Sequence, residues 1–315
     1  MSKMIAAQVV GPKDVRLVEA PPPGLRSFQA LIRVTHVGLC GSDWPVYDGQ
    51  AGKYPQPPGV PAHEVIGLVE DFSAGDLQQG SRVLVVTSSG LAEYVAAPPD
   101  ALLPVPTHIP PEQMLLCQPL GTVIHALRKL PWPLGARTII IGAGTIGLLF
   151  AAMLSRAGCR EVIVIDPLGD RLERARQIGA TETVQATAAE ALAEGLGGAD
   201  VVVEAVGVPE TIAVAPALAR RGGITLMFGV PRNLLPDGRV GFPVRQLLYE
   251  EAQIIYSHGP DLNADIGLAR DLIAAGRIDV SSIVTHVLPF SQVAEAFAMA
   301  YEHRPGVGKI VLTFG

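Results

Sequence analysis

Two short motifs in the first third of the chain carry side chains that can bind a metal. Cys40 opens a Cys-Gly-Ser-Asp stretch, and His63 is followed directly by Glu64. Catalytic zinc takes three protein ligands from cysteine, histidine and carboxylate side chains and keeps a further position open. Cys40 alone is more often a small buried residue, and His63 alone is more often a hydrogen-bonded core residue. With Glu64 beside them, they indicate a candidate metal site.

A second kind of chemistry is indicated by a glycine-rich motif after the apolar run 138–141. The motif has the GxGxxG form and consists of Gly142, Ala143, Gly144, Thr145, Ile146 and Gly147. In a dinucleotide site Gly142 permits the tight turn, Gly144 lets the backbone approach the pyrophosphate, and Gly147 lets helix and strand pack closely. The N-terminus of the following helix offers free N–H groups to phosphates. The motif therefore predicts a dinucleotide site.

The identity of the dinucleotide is indicated by an acid at the end of the next apolar run. Asp166 lies 19 residues after Gly147 and ends the run 162–165. A carboxylate there accepts hydrogen bonds from the ribose hydroxyls of NAD and repels the 2′-phosphate of NADP. Proline and leucine follow Asp166, and the first arginine, Arg171, lies one helical turn further on. The sequence therefore predicts NAD.

The elements that must position these residues change character near residue 120. Beyond it, strand-like and helix-like segments alternate, which predicts a parallel sheet with helices on both faces. Ligands of such sheets bind at the carboxyl ends of the strands. The turns after the later strands are therefore predicted to contact the same cofactor, through Val206, Gly207, Gly229, Val230 and Ser257.

The first 120 residues predict a different architecture. Short runs rich in β-branched residues are separated by proline and glycine clusters such as 21–24 and 56–61. This punctuation is typical of an all-β, barrel-like unit. The proline-rich stretch 98–111 is predicted to be a boundary segment.

Composition sets outer limits on function. At about 150 residues per domain, a chain of 315 residues predicts two domains. The net charge is −6 and no block of five like charges occurs, which argues against a nucleic-acid surface. Three cysteines rule out a disulfide scaffold and suit a reducing, cytoplasmic location. The most apolar run, 138–154, contains three glycines and favours strand, turn and helix over a membrane span.

Ten motifs together resemble one family over essentially the whole chain. They include GLCGSD, PAHEVIG, QPLGTVIHAL, IIIGAGTIGLL and VVVEAVG. In order and spacing the chain resembles the zinc-dependent medium-chain dehydrogenases, and most of all their polyol, sugar and threonine dehydrogenase branch. The resemblance implies an α/β protein: a doubly wound parallel Rossmann sheet (123–262) plus a β-rich GroES-like barrel catalytic domain (1–122 and 263–315). It also implies a homodimer or homotetramer.

The resemblance assigns roles to individual residues. It implies that Cys40, His63 and Glu64 are zinc ligands, and that Ser42 belongs to the proton relay. Gln118 falls where many relatives carry a carboxylate ligand, so it is a candidate fourth ligand.

Two departures from the family pattern narrow these expectations. Pro45 stands where many relatives carry the histidine that completes the proton relay. Residues 65–116 contain no cysteine, so the four-cysteine lobe of relatives with a structural zinc is missing. One catalytic zinc and no structural zinc are therefore expected.

The predicted function is zinc-dependent hydride transfer between a secondary alcohol, such as a polyol, sugar or cyclitol, and NAD. No membrane or nucleic-acid partner is expected. Two alternatives remain open at this point: a zinc-free NAD(P)H-dependent carbonyl or quinone reductase on the same fold, and a cofactor-binding protein without catalysis.

Overall fold

The computed structural model describes residues 3–72, 77–131, 133–233 and 238–315. The chain divides into two compact units, one formed by Met1–Gly121 with Asp261–Gly315 and the other by Thr122–Pro260. The strands are β1 (Met4–Gly11), β2 (Asp14–Ala20), β3 (Ala30–Gly38), β4 (Glu64–Phe72), β5 (Arg82–Val85), β6 (Tyr94–Ala97), β7 (Leu102–Pro104), β8 (Arg137–Ile141), β9 (Glu161–Ile165), β10 (Glu182–Val184), β11 (Ala199–Glu204), β12 (Ala219–Met227), β13 (Gln253–Tyr256), β14 (Val284–Pro289) and β15 (Lys309–Thr313).

Helices are distributed over both units and are mostly short. They are α1 (Trp44–Tyr47), α2 (Pro111–Met114), α3 (Cys117–Leu127), α4 (Thr145–Arg156), α5 (Gly169–Ile178), α6 (Ala188–Ala193), α7 (Pro209–Val214), α8 (Val244–Tyr249), α9 (Gly267–Ala274) and α10 (Val293–Tyr301). Within the described ranges, no helix is long and apolar enough to cross a membrane.

The first unit is built on a mostly antiparallel sheet. Its described strands follow the order β14-β15-β3-β4-β5-β7, with β6 also paired to β3, and only β14 and β15 run parallel. The inward side chains of β3 and β4, among them Val34 and Val65, belong to one apolar core. The long β3–β4 pair lies in the middle of this sheet. Its antiparallel pairing places the last residue of β3 beside the first residue of β4.

The proline-rich stretch 98–111 is not a boundary segment, so that prediction was wrong. It contains β7, which pairs antiparallel with β5, and it lies inside the first unit. β7 forms the edge of the described sheet. Prolines are tolerated best in an edge strand, because its backbone N–H groups are needed for hydrogen bonds to one neighbouring strand only. Leu102 and Leu103 are buried there.

The second unit contains a parallel sheet in the order β10-β9-β8-β11-β12-β13 among the strands described. Its inner strands read as continuous apolar runs, as expected where helices cover both faces. From β8 the chain first moves outward through β9 and β10, and then crosses to β11 on the other side of β8. This doubly wound order, together with the β-rich first unit, confirms the predicted fold class.

Candidate metal and cofactor sites

The candidate metal site lies where β3 ends and β4 begins. Gly38 at the end of β3 pairs with Glu64, the first residue of β4. Cys40 follows β3 by two residues, and His63 directly precedes β4. The antiparallel register therefore brings the two motifs together, and one ligand atom from each of Cys40, His63 and Glu64 lies within 4.8 Å of the others.

Asp43 holds two of these residues in place. Its side chain is 1% exposed, and its Oδ2 accepts a hydrogen bond of 2.9 Å from the backbone N–H of Cys40. Its Oδ1 lies 3.6 Å from Nδ1 of His63. A carboxylate facing the second ring nitrogen is the usual partner of a metal-ligating histidine, because it orients the ring and makes the other nitrogen a better donor.

The surroundings of His63 are negative. Burial lowers the pKa of His63, but hydrogen bonds and charge from Asp43 and Cys40 outweigh burial and raise the pKa to about 11. The same negative potential attracts any cation. Ser42, predicted for the proton relay, places its Oγ 3.4 Å from Nε2 of His63.

Glu64 also contacts Lys309, a residue to which the sequence analysis assigned no chemical role. Lys309, the first residue of β15, forms an ion pair with Oε2 of Glu64 and donates a 2.8 Å hydrogen bond to the carbonyl of Leu39. Both charged side chains are buried, at 2% and 0% exposure. Lys309 therefore links the metal-ligand candidate Glu64 to the backbone next to Cys40.

The residues present fit a zinc ion. Among the described residues, Oε1 of Glu64 is buried without a hydrogen-bond partner. A buried polar atom normally has one, since leaving it unpaired costs about 1–3 kcal/mol. Thiol, imidazole and carboxylate are also the donor set that catalytic zinc prefers.

Gln118, the candidate fourth ligand, and the adjacent Cys117 lie at the start of α3. Gln118 is the second residue of α3 and is half-buried, and its role as a fourth ligand remains a prediction. Cys117, the residue before Gln118, is the first residue of the same helix, and its Sγ lies 3.3 Å from Sδ of Met114. Burial raises the pKa of the Cys117 thiol to about 12, which disfavours the thiolate form.

The glycine-rich motif forms the turn between β8 and α4. Gly142 has a φ of +99°, in the left-handed region that favours glycine. A Cβ on Gly147 would lie 1.8 Å from the carbonyl oxygen of Gly142, so helix and strand approach more closely than any side chain allows. In front of Gly144 the space is open, with no heavy atom within 4 Å of a Cβ built there. The turn is therefore a cradle whose floor is backbone, as a pyrophosphate requires.

Asp166 follows β9 and lies beside this turn. Its side chain is largely buried; Oδ2 accepts a 2.8 Å hydrogen bond from the N–H of Ala143, and Oδ1 accepts one of 2.9 Å from Leu168. Leu168, not Asp166, is the N-cap of α5. Asp166 thus ties the end of β9 to the glycine-rich turn, at the place where the sequence predicts the ribose.

The remaining predicted cofactor residues follow the other parallel strands. Val206 and Gly207 come after β11, Gly229 and Val230 after β12, and Ser257 after β13. The carboxyl ends of parallel strands meet at one edge, so the fold brings all of them to the edge that carries the glycine-rich turn. The Oγ of Ser257 is buried and has no partner among the described residues.

Two of the buried charged residues, Lys309 and Glu204, are assigned no chemical role by the sequence analysis. Lys309 opens an apolar terminal strand and Glu204 ends one, and both are almost fully buried. In the sequence, a charged residue next to an uninterrupted apolar run is the only sign that its side chain is buried. The run does not show which residue the buried charge contacts. Glu204 is the last residue of β11 and is level with Ile165, the last residue of β9, whereas Asp166 comes one residue after the end of its strand.

Comparison with known proteins identifies the class of enzyme as an alcohol oxidoreductase. The alcohol dehydrogenase GroES-like domain family matches residues 26–107, and the zinc-binding dehydrogenase family matches residues 145–275. The chain belongs to the zinc-type medium-chain alcohol dehydrogenases, in their polyol-dehydrogenase-like branch.

Individual relatives cover nearly the whole chain. Sorbitol dehydrogenase 1 of Saccharomyces cerevisiae is 27% identical over 95% of this chain and 95% of its own length. L-threonine 3-dehydrogenase of Bacillus subtilis is 27% identical over 94% of both chains. The structure of an alcohol dehydrogenase from Thermus sp. ATN1 matches with a TM-score of 0.84 at 25% identity and covers 99% of this chain and 100% of that one.

Proposed function

We propose that this protein transfers a hydride between a secondary alcohol of the polyol, sugar or cyclitol class and NAD, using one zinc ion held by Cys40, His63 and Glu64. The observation that carries the proposal is the cluster of these three ligand groups within 4.8 Å, with an unpaired buried oxygen on Glu64. The sorbitol and threonine dehydrogenases among the relatives support a polar secondary alcohol as substrate.

Zinc, when bound, supplies a Lewis acid that lowers the pKa of a hydroxyl group. The chain's residues set the electrostatics around it. In formal charges, the Cys40 thiolate and the Glu64 carboxylate would cancel a divalent cation, and the buried Lys309 ammonium would balance the buried Asp43 carboxylate. A site without net negative charge does not oppose deprotonation of the alcohol. Asp43 keeps the His63 ring oriented, since its Oδ1 faces Nδ1.

The alcohol proton needs a path to solvent. Ser42 Oγ lies beside His63 and is partly exposed, so we assign it the first acceptor position. Pro45 supplies no titratable group for the next step. The proton would therefore pass from Ser42 Oγ to water.

The cofactor supplies the hydride acceptor when bound, and Asp166 supports NAD rather than NADP. Its carboxylate is fixed by Ala143 and Leu168, and a negative charge at the predicted ribose position disfavours a 2′-phosphate. An Asp166→Ser variant is expected to lower the ratio of kcat/KM for NAD over NADP by about 10-fold or more, because it removes both the ribose acceptor and the repulsion. An unchanged ratio would remove Asp166 from cofactor selection.

The activity test is a substrate screen with purified, zinc-reconstituted protein. NADH formation is followed with sorbitol, xylitol, threitol, inositol and simple secondary alcohols, against the Cys40→Ala variant as a matched control. We expect turnover of at least one polyol by the wild type and none above background by the variant. Reduction of carbonyls or quinones that persists in Cys40→Ala would favour a zinc-free reductase instead, and cofactor binding without any turnover would favour a binding protein.

We also propose that the active form is a homodimer or homotetramer. β13 is the last described strand of the parallel sheet, and an unpaired edge is a template for another chain. Tyr256 on this strand and Leu248 and Tyr249 on the preceding α8 are 63–73% exposed. Sedimentation of the wild type beside a Tyr256→Lys variant tests this, and a monomeric wild type would contradict it.

A further inference from the structure

Glu204 is a buried carboxylate that the proposed reaction does not use. It is the last residue of β11 and is fully buried. It pairs with Ile141 of β8 on one side and Met227 of β12 on the other, so it lies in the centre of the sheet. Burying a carboxylate there is costly unless it is hydrogen-bonded.

The side chain of Glu204 fixes the turn that follows it. Its Oε1 accepts hydrogen bonds from the backbone N–H groups of Val206, at 2.9 Å, and Gly207, at 2.8 Å. The hydroxyl of Thr211 in α7 donates a third bond of 2.8 Å to the same oxygen. One oxygen therefore gathers three donors and sets the path of the chain from β11 into α7.

The main chain of Glu204 fixes the neighbouring turn. Its carbonyl oxygen accepts hydrogen bonds from Phe228 at 3.0 Å and Gly229 at 2.9 Å, directly after β12. The two turns touch through backbone: a Cβ on Gly229 would lie 2.2 Å from the nitrogen of Gly207, and one on Gly207 would lie 2.2 Å from the carbonyl oxygen of Val230. A shift of one turn must move the other.

The same turn also reaches the glycine-rich motif. A Cβ on Gly142 would lie 2.7 Å from Cγ2 of Val206. Displacing Val206 therefore alters the wall of the cradle described above. Glu204 thus lies beneath three turns that carry most of the predicted cofactor contacts.

The bonds of Glu204 also determine what its turn can offer a ligand. The N–H groups of Val206 and Gly207 are taken by the carboxylate, so they are not donors for a phosphate. The first turn of α4, in contrast, leaves its N–H groups unpaired within the helix. The turn after β11 therefore suits an uncharged part of a dinucleotide, and the turn before α4 suits the phosphates.

We propose that Glu204 is a positioning residue for the nicotinamide half of the cofactor. It touches no cofactor atom itself; it holds Val206, Gly207 and Gly229 in the arrangement that binds that half. The inference rests on the proposed function, because it requires that the second unit binds a nicotinamide dinucleotide.

The test compares the affinities of the purified protein for NADH and for AMP, which carries only the adenosine half. We expect Glu204→Ala to weaken NADH binding by about 10-fold or more, since it removes the acceptor of the Val206 and Gly207 N–H groups, and to change AMP binding by less than about 2-fold. Glu204→Gln keeps an acceptor oxygen and is expected to restore most of the NADH affinity. A purely structural role would not separate the two ligands.

A matched control lies at the other end of β11. Asp200 accepts hydrogen bonds from the backbone N–H of Arg137 and the side chain of Arg220, far along the strand from the turns. Asp200→Ala is expected to lower the melting temperature without changing the ratio of NADH to AMP affinity.

Several outcomes would overturn the inference. One is a Glu204→Ala variant that retains wild-type affinity for both ligands, and another is a variant that loses both affinities equally. If Glu204→Ala does not fold, Thr211→Val removes one donor from Oε1 and must weaken NADH more than AMP, and failure to do so overturns the inference. A wild type that binds AMP but not NADH refutes the proposed function and the inference together, whereas normal NADH binding with an unaffected Glu204→Ala refutes the inference alone.

Discussion

Lys309 and Glu64 form a buried ion pair across two strands of the first unit. Neither side chain is more than 2% exposed, and Lys309 also binds the carbonyl of Leu39. Removing one partner of such a pair leaves an uncompensated buried charge. The pair therefore couples folding to the charge state of the metal site.

This coupling predicts the effect of Lys309→Met. In metal-free protein the variant is expected to lose about 3–5 kcal/mol of unfolding free energy, because Glu64 is left without a counter-charge. Zinc brings a new positive charge to the same carboxylate. The loss should therefore be smaller in zinc-loaded protein, and denaturant unfolding with and without zinc measures the difference.

The double variant with Glu64→Gln and Lys309→Met is the control for this prediction. It removes both charges, so its metal-free stability should exceed that of Lys309→Met alone. A Lys309→Met protein that loses the same stability with and without zinc would show that Glu64 and the metal do not interact.

Asp43 is expected to act through Cys40 and His63 rather than on the substrate. Asp43→Asn keeps the size of the side chain but removes the charge facing Nδ1 of His63. Changes of this kind typically cost about 10–100-fold in metal affinity or activity. Zinc affinity measured by competition with a chelating dye should fall by that factor, while a variant with wild-type affinity would remove Asp43 from the site.

The two glycines Gly144 and Gly147 should respond differently to alanine. Gly147→Ala places a Cβ against the carbonyl of Gly142, so we expect a lower melting temperature and weaker NADH binding. Gly144→Ala meets nothing within 4 Å and has no positive φ, so the fold should be unaffected. The added Cβ of Gly144→Ala would still obstruct the pyrophosphate and weaken NADH binding. Equal melting losses in both variants would contradict this assignment.

Much of the architecture follows from local sequence patterns. The change from short β-branched runs to alternating strands and helices predicts the β-rich unit and the doubly wound sheet, because burial on one or two faces leaves a periodic signature. The cysteine and His-Glu motifs predict candidate metal ligands for a different reason: the residue type alone determines which atoms can bind a metal.

Contacts between distant segments were not predictable in this way. Lys309 and Glu64 are 245 positions apart, and only the register of β15 on β3 and β3 on β4 brings them together. Glu204 belongs to an apolar run whose sequence does not show which amides its carboxylate will accept. The pairing of β7 from a proline-rich stretch likewise depends on the strand beside it.

The central claim is a zinc ion held by Cys40, His63 and Glu64, and metal content tests it most directly. Protein purified without chelators is analysed for zinc beside Cys40→Ala, with Cys159→Ala as a matched control in the other unit. We predict about one zinc per chain in the wild type and in Cys159→Ala, and almost none in Cys40→Ala. A wild type that stays metal-free after zinc reconstitution, or a Cys40→Ala variant that keeps a full equivalent, would contradict the account.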